Sequence, residues 1–260
     1  MIKLVVTDMD GTLLDDNHEI NESFWGTLDK IKGKNIQFCV ASGRQYHNLL
    51  EKFRGHENGL IFIAENGTII MKDHVELFSK CLDNEGIEDF VEISRKLPEV
   101  YVVLCGKKSA YIESKNEDFI KEVGKYYHHY EVVEDVMEIK DDILKIALFN
   151  FENSEKEIYP HYKKFEDKYK VVVSGKTWVD IMDKEINKGV ALNKLKEKLN
   201  ITSENVLAFG DYLNDYEMMM EASLSYAMKN AHPELKKVAK FEAPSNNENG
   251  VVEVINTLIK

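Results

Sequence analysis

The sequence is short of cysteine, of long apolar runs and of positive charge. Three cysteines, Cys39, Cys81 and Cys105, stand far apart and form no CxxC pair, which excludes a disulfide framework and a thiolate metal site. Reduced, mostly buried thiols in a cytosolic protein are expected. No apolar run approaches the roughly 18 residues of a membrane span. The N-terminus has no basic region followed by an apolar core, so no secretory signal is expected. Without secretion, the glycosylation pattern Asn66-Gly67-Thr68 carries no meaning. Acidic residues outnumber basic ones 46 to 34, for a net charge of -12. Nucleic acid and anionic membrane are therefore not expected partners. A small anionic substrate remains compatible where local cations offset the field.

The remainder reads as a soluble globular chain, 43% hydrophobic and 31% charged over 260 residues, without repeats or low-complexity linkers. Strand-like runs at Lys3–Thr7, Ile36–Ala41 and Leu60–Ala64 alternate with helical patterns at Asn21–Lys32 and Tyr46–Phe53, which suggests parallel βαβ units. The middle differs. Helical patterns at Glu85–Leu97, Asp118–Tyr127 and Glu155–Tyr169 separate paired strands: Tyr101–Cys105 with Ala110–Glu113, and Lys170–Val173 with Thr177–Met182, beside a strand at Ile143–Phe149. The parallel pattern returns with helix Gly189–Leu199, strand Val206–Phe209, helix Asp215–Ala222 and a strand near Ser225–Met228. The fold class is α/β: a Rossmann-like parallel-sheet core over 1–80 and 187–260, interrupted by an inserted α+β module over 81–186.

Ligands of parallel sheets bind beyond the carboxyl ends of the strands. Asp8 and Asp10, Ser42-Gly43-Arg44, and Asp211 with Asn214 and Asp215 all follow such ends. Carboxylates crowded at a buried edge repel one another unless protonated or bridged by a cation, and Asp8, Asp10, Asp211 and Asp215 make a hard-oxygen set suited to Mg²⁺. Ser42 and Gly43 can offer a hydroxyl and backbone N–H groups to a phosphate, whereas a plain Ser-Gly turn is the bland alternative. Arg44 supports the site or is a solvated charge. Lys188 starts a helix, where the dipole disfavours a cation, and a bound phosphate there would compensate. Asn214 can donate to a phosphate. Asp215 can hold a metal-bound water, hold Lys188, or cap the following helix. Two patterns are set aside. Val173–Thr177 lacks the first glycine of a P-loop, and adjacent His128 and His129 would point about 100° apart on a helix.

Together DMDGT at 8–12, ASGR at 41–44, Lys188-Gly189 and GDYLND at 210–215 resemble, in order, the four motifs of the haloacid dehalogenase superfamily. The inserted module is similar to the large α/β cap of its Cof-type phosphatases. AENGT at 64–68, AMKNAHPELKKVA at 227–239 and SNNENGV at 245–251 extend the resemblance over nearly the whole chain. The resemblance implies Asp8 as nucleophile on phosphorus, Asp10 as general acid and base, and Lys188 as a catalytic cation. It implies Mg²⁺ held by the Asp8 carboxylate, the Asp10 backbone carbonyl and Asp211, with Asp215 outside them. Phosphate would be bound by Ser42, Gly43, Lys188, Asn214 and N–H groups near Met9. Tyr212-Leu213 departs from the small residue often found there.

The implied activity is Mg²⁺-dependent hydrolysis of a small phosphorylated metabolite, with sugar phosphates the expected class, in the cytoplasm. A phosphomutase of the phosphomannomutase type is the first alternative, and a receiver-like phospho-acceptor module the second. A silent binding protein is disfavoured by the intact set Asp8, Asp10, Lys188 and Asp211. Trp178, Lys176, Arg95, His128 and Tyr111 are candidates for leaving-group contacts from the cap, each weighed against packing or solvated surface. Oligomeric state is not legible.

Overall fold

Runs of four or five apolar residues are too short for helices and too continuous for a half-exposed strand. In the computed structural model, which describes residues Met1–Ile259, they form a buried sheet. In chain order the first elements are β1 (Leu4–Thr7), α1 (Ser23–Gly33), β2 (Gln37–Ala41), α2 (Tyr46–Lys52), β3 (Ile61–Ala64), β4 (Ile69–Lys72) and β5 (Val75–Ser79). There follow α3 (Asn84–Lys96), β6 (Tyr101–Gly106), β7 (Ala110–Ile112), α4 (Glu117–Tyr126), β8 (Tyr130–Val132), β9 (Ile143–Phe149), α5 (Ser154–Glu157), α6 (Tyr159–Tyr162), β10 (Tyr169–Val173) and β11 (Trp178–Asp183). The last are α7 (Lys188–Leu199), β12 (Val206–Gly210), α8 (Tyr216–Met220), β13 (Leu224–Met228), α9 (Pro233–Val238), β14 (Phe241–Ala243) and α10 (Gly250–Leu258). No helix among the described residues is long and apolar enough to cross a membrane.

The chain packs as two units. One contains Met1–Gly43, Phe53–Phe78 and the chain from Asn187 onward; the other contains Arg44–Lys52 and Ser79–Ile186. The first unit carries an eight-stranded sheet in the order β14-β13-β12-β1-β2-β3-β4-β5. From β14 to β3 every pairing is parallel, and β4 returns antiparallel to β3. The register pairs Thr7 with both Phe209 and Val40, and Ala41 with Ile63. The residues after β1, β2, β3 and β12 are thereby aligned at one edge.

The second unit carries a six-stranded sheet, β10-β11-β9-β6-β7-β8, antiparallel except where β7 meets β8. Its two faces bury separate apolar clusters, one around Phe90, Tyr162 and Ile181, the other around Phe119, Phe149 and Trp178.

The helical pattern over Glu155–Tyr169 is not one helix. It breaks into α5, α6 and a 3₁₀ turn at Lys163–Phe165 before β10 begins at Tyr169. Pro160 has no N–H to give the carbonyl four residues back, so the chain restarts there, with Pro160 in the first turn of α6. The helix expected over Asp215–Ala222 is likewise shorter, entered through a 3₁₀ turn at Leu213–Asp215. Strands β4, β5, β8 and β14 were not anticipated.

Phe24 anchors α1 against the first sheet, fully buried, with ring centroids 5.3 Å from Phe38 and 6.2 Å from Phe53. The two tryptophans divide between the units, Trp25 in the first and Trp178 in the second. In a Trp178→Phe background, Trp25 fluorescence therefore follows the first unit alone. Phe24→Ala in that background is expected to destabilise this unit by about 3–5 kcal/mol, read as a lowered urea midpoint.

Candidate active site

Asp8 is the first residue beyond β1. Its N–H extends the ladder to the Phe209 carbonyl at 3.0 Å, so its backbone is fixed by the sheet. The turn that follows closes on one acceptor: the Met9 carbonyl takes N–H groups of Thr12, Leu13 and Leu14 at 3.3, 3.0 and 2.8 Å. Gly11 makes this turn possible at φ +77°, and a β-carbon there would lie 2.4 Å from Asp211 Oδ2. Thr12 then reaches across, its hydroxyl donating to Asp211 Oδ1 at 3.1 Å.

Helix α7 starts at Lys188, capped by Asn187, whose side chain accepts the Val190 N–H at 2.8 Å. Lys188 has no solvent exposure. Its Nζ donates to Asp8 Oδ1 at 2.6 Å and to Asp215 Oδ1 at 2.7 Å. Two carboxylates thus offset the cation at the helix start. Asp215, also fully buried, turns its other oxygen back to the N–H groups of Asp211 and Tyr212, at 3.0 and 3.3 Å. Its side chain therefore closes the loop before α8 and holds Lys188.

The electrostatics follow from burial. Desolvation pushes the Asp8 carboxyl well above the ordinary carboxylate range; Lys188 pulls it down, and Asp215 and Asp211 push it up again. Asp211 is pushed up to about 6 by burial and then by Asp215, against the Thr12 hydroxyl bond. Burial by itself would lower Lys188, but Asp215 and Asp8 outweigh it and hold the ammonium above its usual value. One ammonium faces three carboxylates, and one oxygen each of Asp8, Asp211 and Asp215 lies within 4.8 Å of the others. This donor set suits a hard divalent cation.

The remaining residues singled out in the sequence are placed as follows. The Asp10 side chain lies outside this cluster, 42% exposed, with its Oδ1 3.3 Å from His18 Nδ1. Buried Ser42 donates its N–H to the Ile63 carbonyl at 2.8 Å and accepts the Asn66 N–H at 3.0 Å. Gly43 packs beneath the Asn66 side chain. Asn214 Nδ2 donates to Asn66 Oδ1 at 3.3 Å. Arg44 donates to Asn48 Oδ1 at 3.0 Å, one turn along α2.

Within the second unit, Arg95 is bound in a surface cluster with Glu113 and Asp135, and Tyr111 donates to Asp141 at 3.1 Å. Trp178 belongs to the apolar cluster on one sheet face. The sequence reading assigned nothing to Thr12, His18, Asn66 or Asn230, whose Nδ2 donates to the Gly11 carbonyl at 2.8 Å. Thr12, Asn66 and Asn230 do lie in the motifs quoted above. His18 has no sequence signal, because its contact depends on its own left-handed backbone at φ +60°.

A family model described as haloacid dehalogenase-like hydrolase matches residues 5–255. The 5-amino-6-(5-phospho-D-ribitylamino)uracil phosphatase YbjI of Escherichia coli (strain K12) is 35% identical, over 100% of this chain and 97% of the relative. The 5-amino-6-(5-phospho-D-ribitylamino)uracil phosphatase YcsE of Bacillus subtilis (strain 168) is 27% identical, over 98% of this chain and 94% of the relative. Among solved structures, SMU.1108c from Streptococcus mutans UA159 superposes with a TM-score of 0.85 at 32% identity, over 100% of this chain and 99% of that one. The chain belongs to the haloacid dehalogenase-like hydrolases, as a phosphatase of the Cof type.

Proposed function

We propose that the protein hydrolyses small phosphorylated metabolites, of the sugar- or sugar-alcohol-phosphate class, with Mg²⁺ and through a phosphorylated Asp8. The observation that carries this reading is the buried Lys188 ammonium held between Asp8 and Asp215, beside Asp211. The similarity to two phosphatases named for a phosphorylated ribityl substrate supports the substrate class.

In this reading Lys188 holds Asp8 Oδ1, and Oδ2 attacks phosphorus. The P–O bond to the leaving group breaks as the Asp8–phosphorus bond forms, and Asp10 gives its proton to the departing alkoxide. A water then attacks phosphorus, giving a proton back to Asp10 and releasing inorganic phosphate from Asp8. The partly exposed position of Asp10, on a turn built around the Met9 carbonyl, suits a group that exchanges protons with a leaving group and with water. Ser42, Gly43, Asn214 and N–H groups near Met9 orient the phosphate.

The Asp8 carboxylate, Asp211 and the Asp10 backbone carbonyl would hold Mg²⁺, because Asp215 already takes three donors from the protein. When bound, Mg²⁺ supplies charge neutralisation at the phosphate oxygens. The inserted unit, residues 81–186, serves in this reading as the cap that excludes water and selects the leaving group.

The direct test is phosphate release from a panel of sugar and sugar-alcohol phosphates. Asp8→Asn is expected to lower the rate by about 10³-fold or more, and EDTA to abolish release until Mg²⁺ is restored. Transfer of phosphate within a sugar, or a stable phosphorylated Asp8 without release, would overturn the hydrolase reading. A second test separates charge from chemistry. Asp211→Asn removes one of three crowded carboxylates, so in EDTA it is expected to stabilise the protein by about 0.5–2 kcal/mol. The same variant is expected to lose both activity and the rise in Tm that Mg²⁺ gives the wild type.

A further inference from the structure

Immediately beyond β3 the chain takes three left-handed residues in succession: Glu65 at φ +48°, Asn66 at φ +58° and Gly67 at φ +105°. Only the last is a glycine. Side chains in this region cost free energy, Asn least among those with a β-carbon, and such segments persist where the surroundings over-determine them. Here the surroundings do so. The Asn66 N–H donates to the Ser42 carbonyl at 3.0 Å, and the Thr68 hydroxyl donates to the Glu65 carbonyl at 3.2 Å.

This backbone brings the half-buried Asn66 side chain over Gly43 and up to Asn214. The contact with Asn214 is surface-exposed and 3.3 Å long, a hydrogen bond that adds little to stability. Its consequence lies instead in the geometry of Asn214. A carboxamide has two N–H donors and one carbonyl, and the two ends are interchangeable by a flip. With one N–H of Asn214 on Asn66 Oδ1, a flip would set two carbonyl oxygens against each other. Turning one amide alone is therefore disfavoured, and the contact couples the orientation of the Asn214 amide to that of Asn66.

Gly43 completes the arrangement. A β-carbon there would lie 3.0 Å from Asn66 Oδ1 and 3.2 Å from Asn66 Nδ2, tighter than ordinary contact. The absence of a side chain after Ser42 thus makes room for the Asn66 amide. One loop beyond β3 consequently joins two phosphate-binding segments, Ser42-Gly43 and the loop containing Asn214.

We infer that Asn66 is a positioning residue for phosphate binding: it fixes the orientation of the Asn214 amide and the backbone at Ser42-Gly43, without itself touching phosphorus. The inference rests on the phosphatase reading above and refines its phosphate-binding set.

The experiment is a double-mutant cycle in the full-length protein with Mg²⁺, using p-nitrophenyl phosphate as substrate and inorganic phosphate as competing ligand. Asn66→Gly keeps the left-handed backbone and removes only the side chain. It is expected to raise both KM and the inhibition constant of inorganic phosphate about 5- to 10-fold, the factor that one lost hydrogen bond represents, with kcat within about 2-fold. In an Asn214→Ala background the same change is expected to add less than about 2-fold, because its target is gone. Gly43→Ala, which pushes the Asn66 amide from below, is expected to shift KM in the same direction and provides a second variant should Asn66→Gly unfold.

Effects of Asn66→Gly and Asn214→Ala that multiply independently would overturn the inference, as would unchanged KM and phosphate inhibition in Asn66→Gly beside a clear Asn214→Ala effect. A wild type that neither releases phosphate nor gains Tm from inorganic phosphate would overturn the phosphatase reading, and this inference with it.

Discussion

The first unit is organised around one buried ammonium. Lys188 has no contact with solvent and lies 2.6 and 2.7 Å from two carboxylates. An unpaired cation at that depth would cost several kcal/mol, so its partners must be in place for the first turn of α7 to pack. Asp8 ties that turn to the end of β1, and Asp215 ties it to the loop beyond β12. Asp215 then passes the constraint on through its second oxygen to the backbone of Asp211 and Tyr212. Asp211 is held from the far side by Thr12. The groups that would meet a substrate are thus set by one ion triad and the strands it joins.

The triad also leaves the site out of balance. Three carboxylates share one lysine within a water-poor edge, and the raised Asp8 and Asp211 carboxyls express that surplus of negative charge. Such an arrangement is costly to keep in an apoprotein and useful to a ligand-bound one. In the proposed reading it reconciles an acidic chain, of net charge -12, with an anionic substrate, because a cation bound among these carboxylates would offset the overall field locally.

Much of this was legible in the sequence because local rules and tertiary packing agree in the core. Continuous Val, Ile and Phe runs marked parallel strands, and the polar residues just after them marked the edge where Asp8, Ser42 and Asp211 lie. Where a tertiary contact decides, the reading failed. The apolar period over Glu155–Tyr169 runs through Pro160 as if unbroken, yet the missing N–H splits the helix. Strand β8 has three residues and takes its conformation from pairing with β7, which no short window can show. The Asp10–His18 contact and the Asn66–Asn214 contact both depend on left-handed backbone at residues other than glycine, a state that sequence seldom announces.

The triad spans almost the whole chain: Lys188 and Asp8 are 180 residues apart. During synthesis, β1 is made first but acquires its neighbour β12 only after the entire second unit has been translated. Until then one edge of a strand that is fully buried in the native fold has no partner, and Asp8 has no lysine. A nascent chain in this interval presents an open sheet edge of the kind that templates aggregation. The same order means that a product truncated anywhere before residue 188 lacks the ion triad altogether. The closing segments of the chain therefore complete both the sheet and the ion triad.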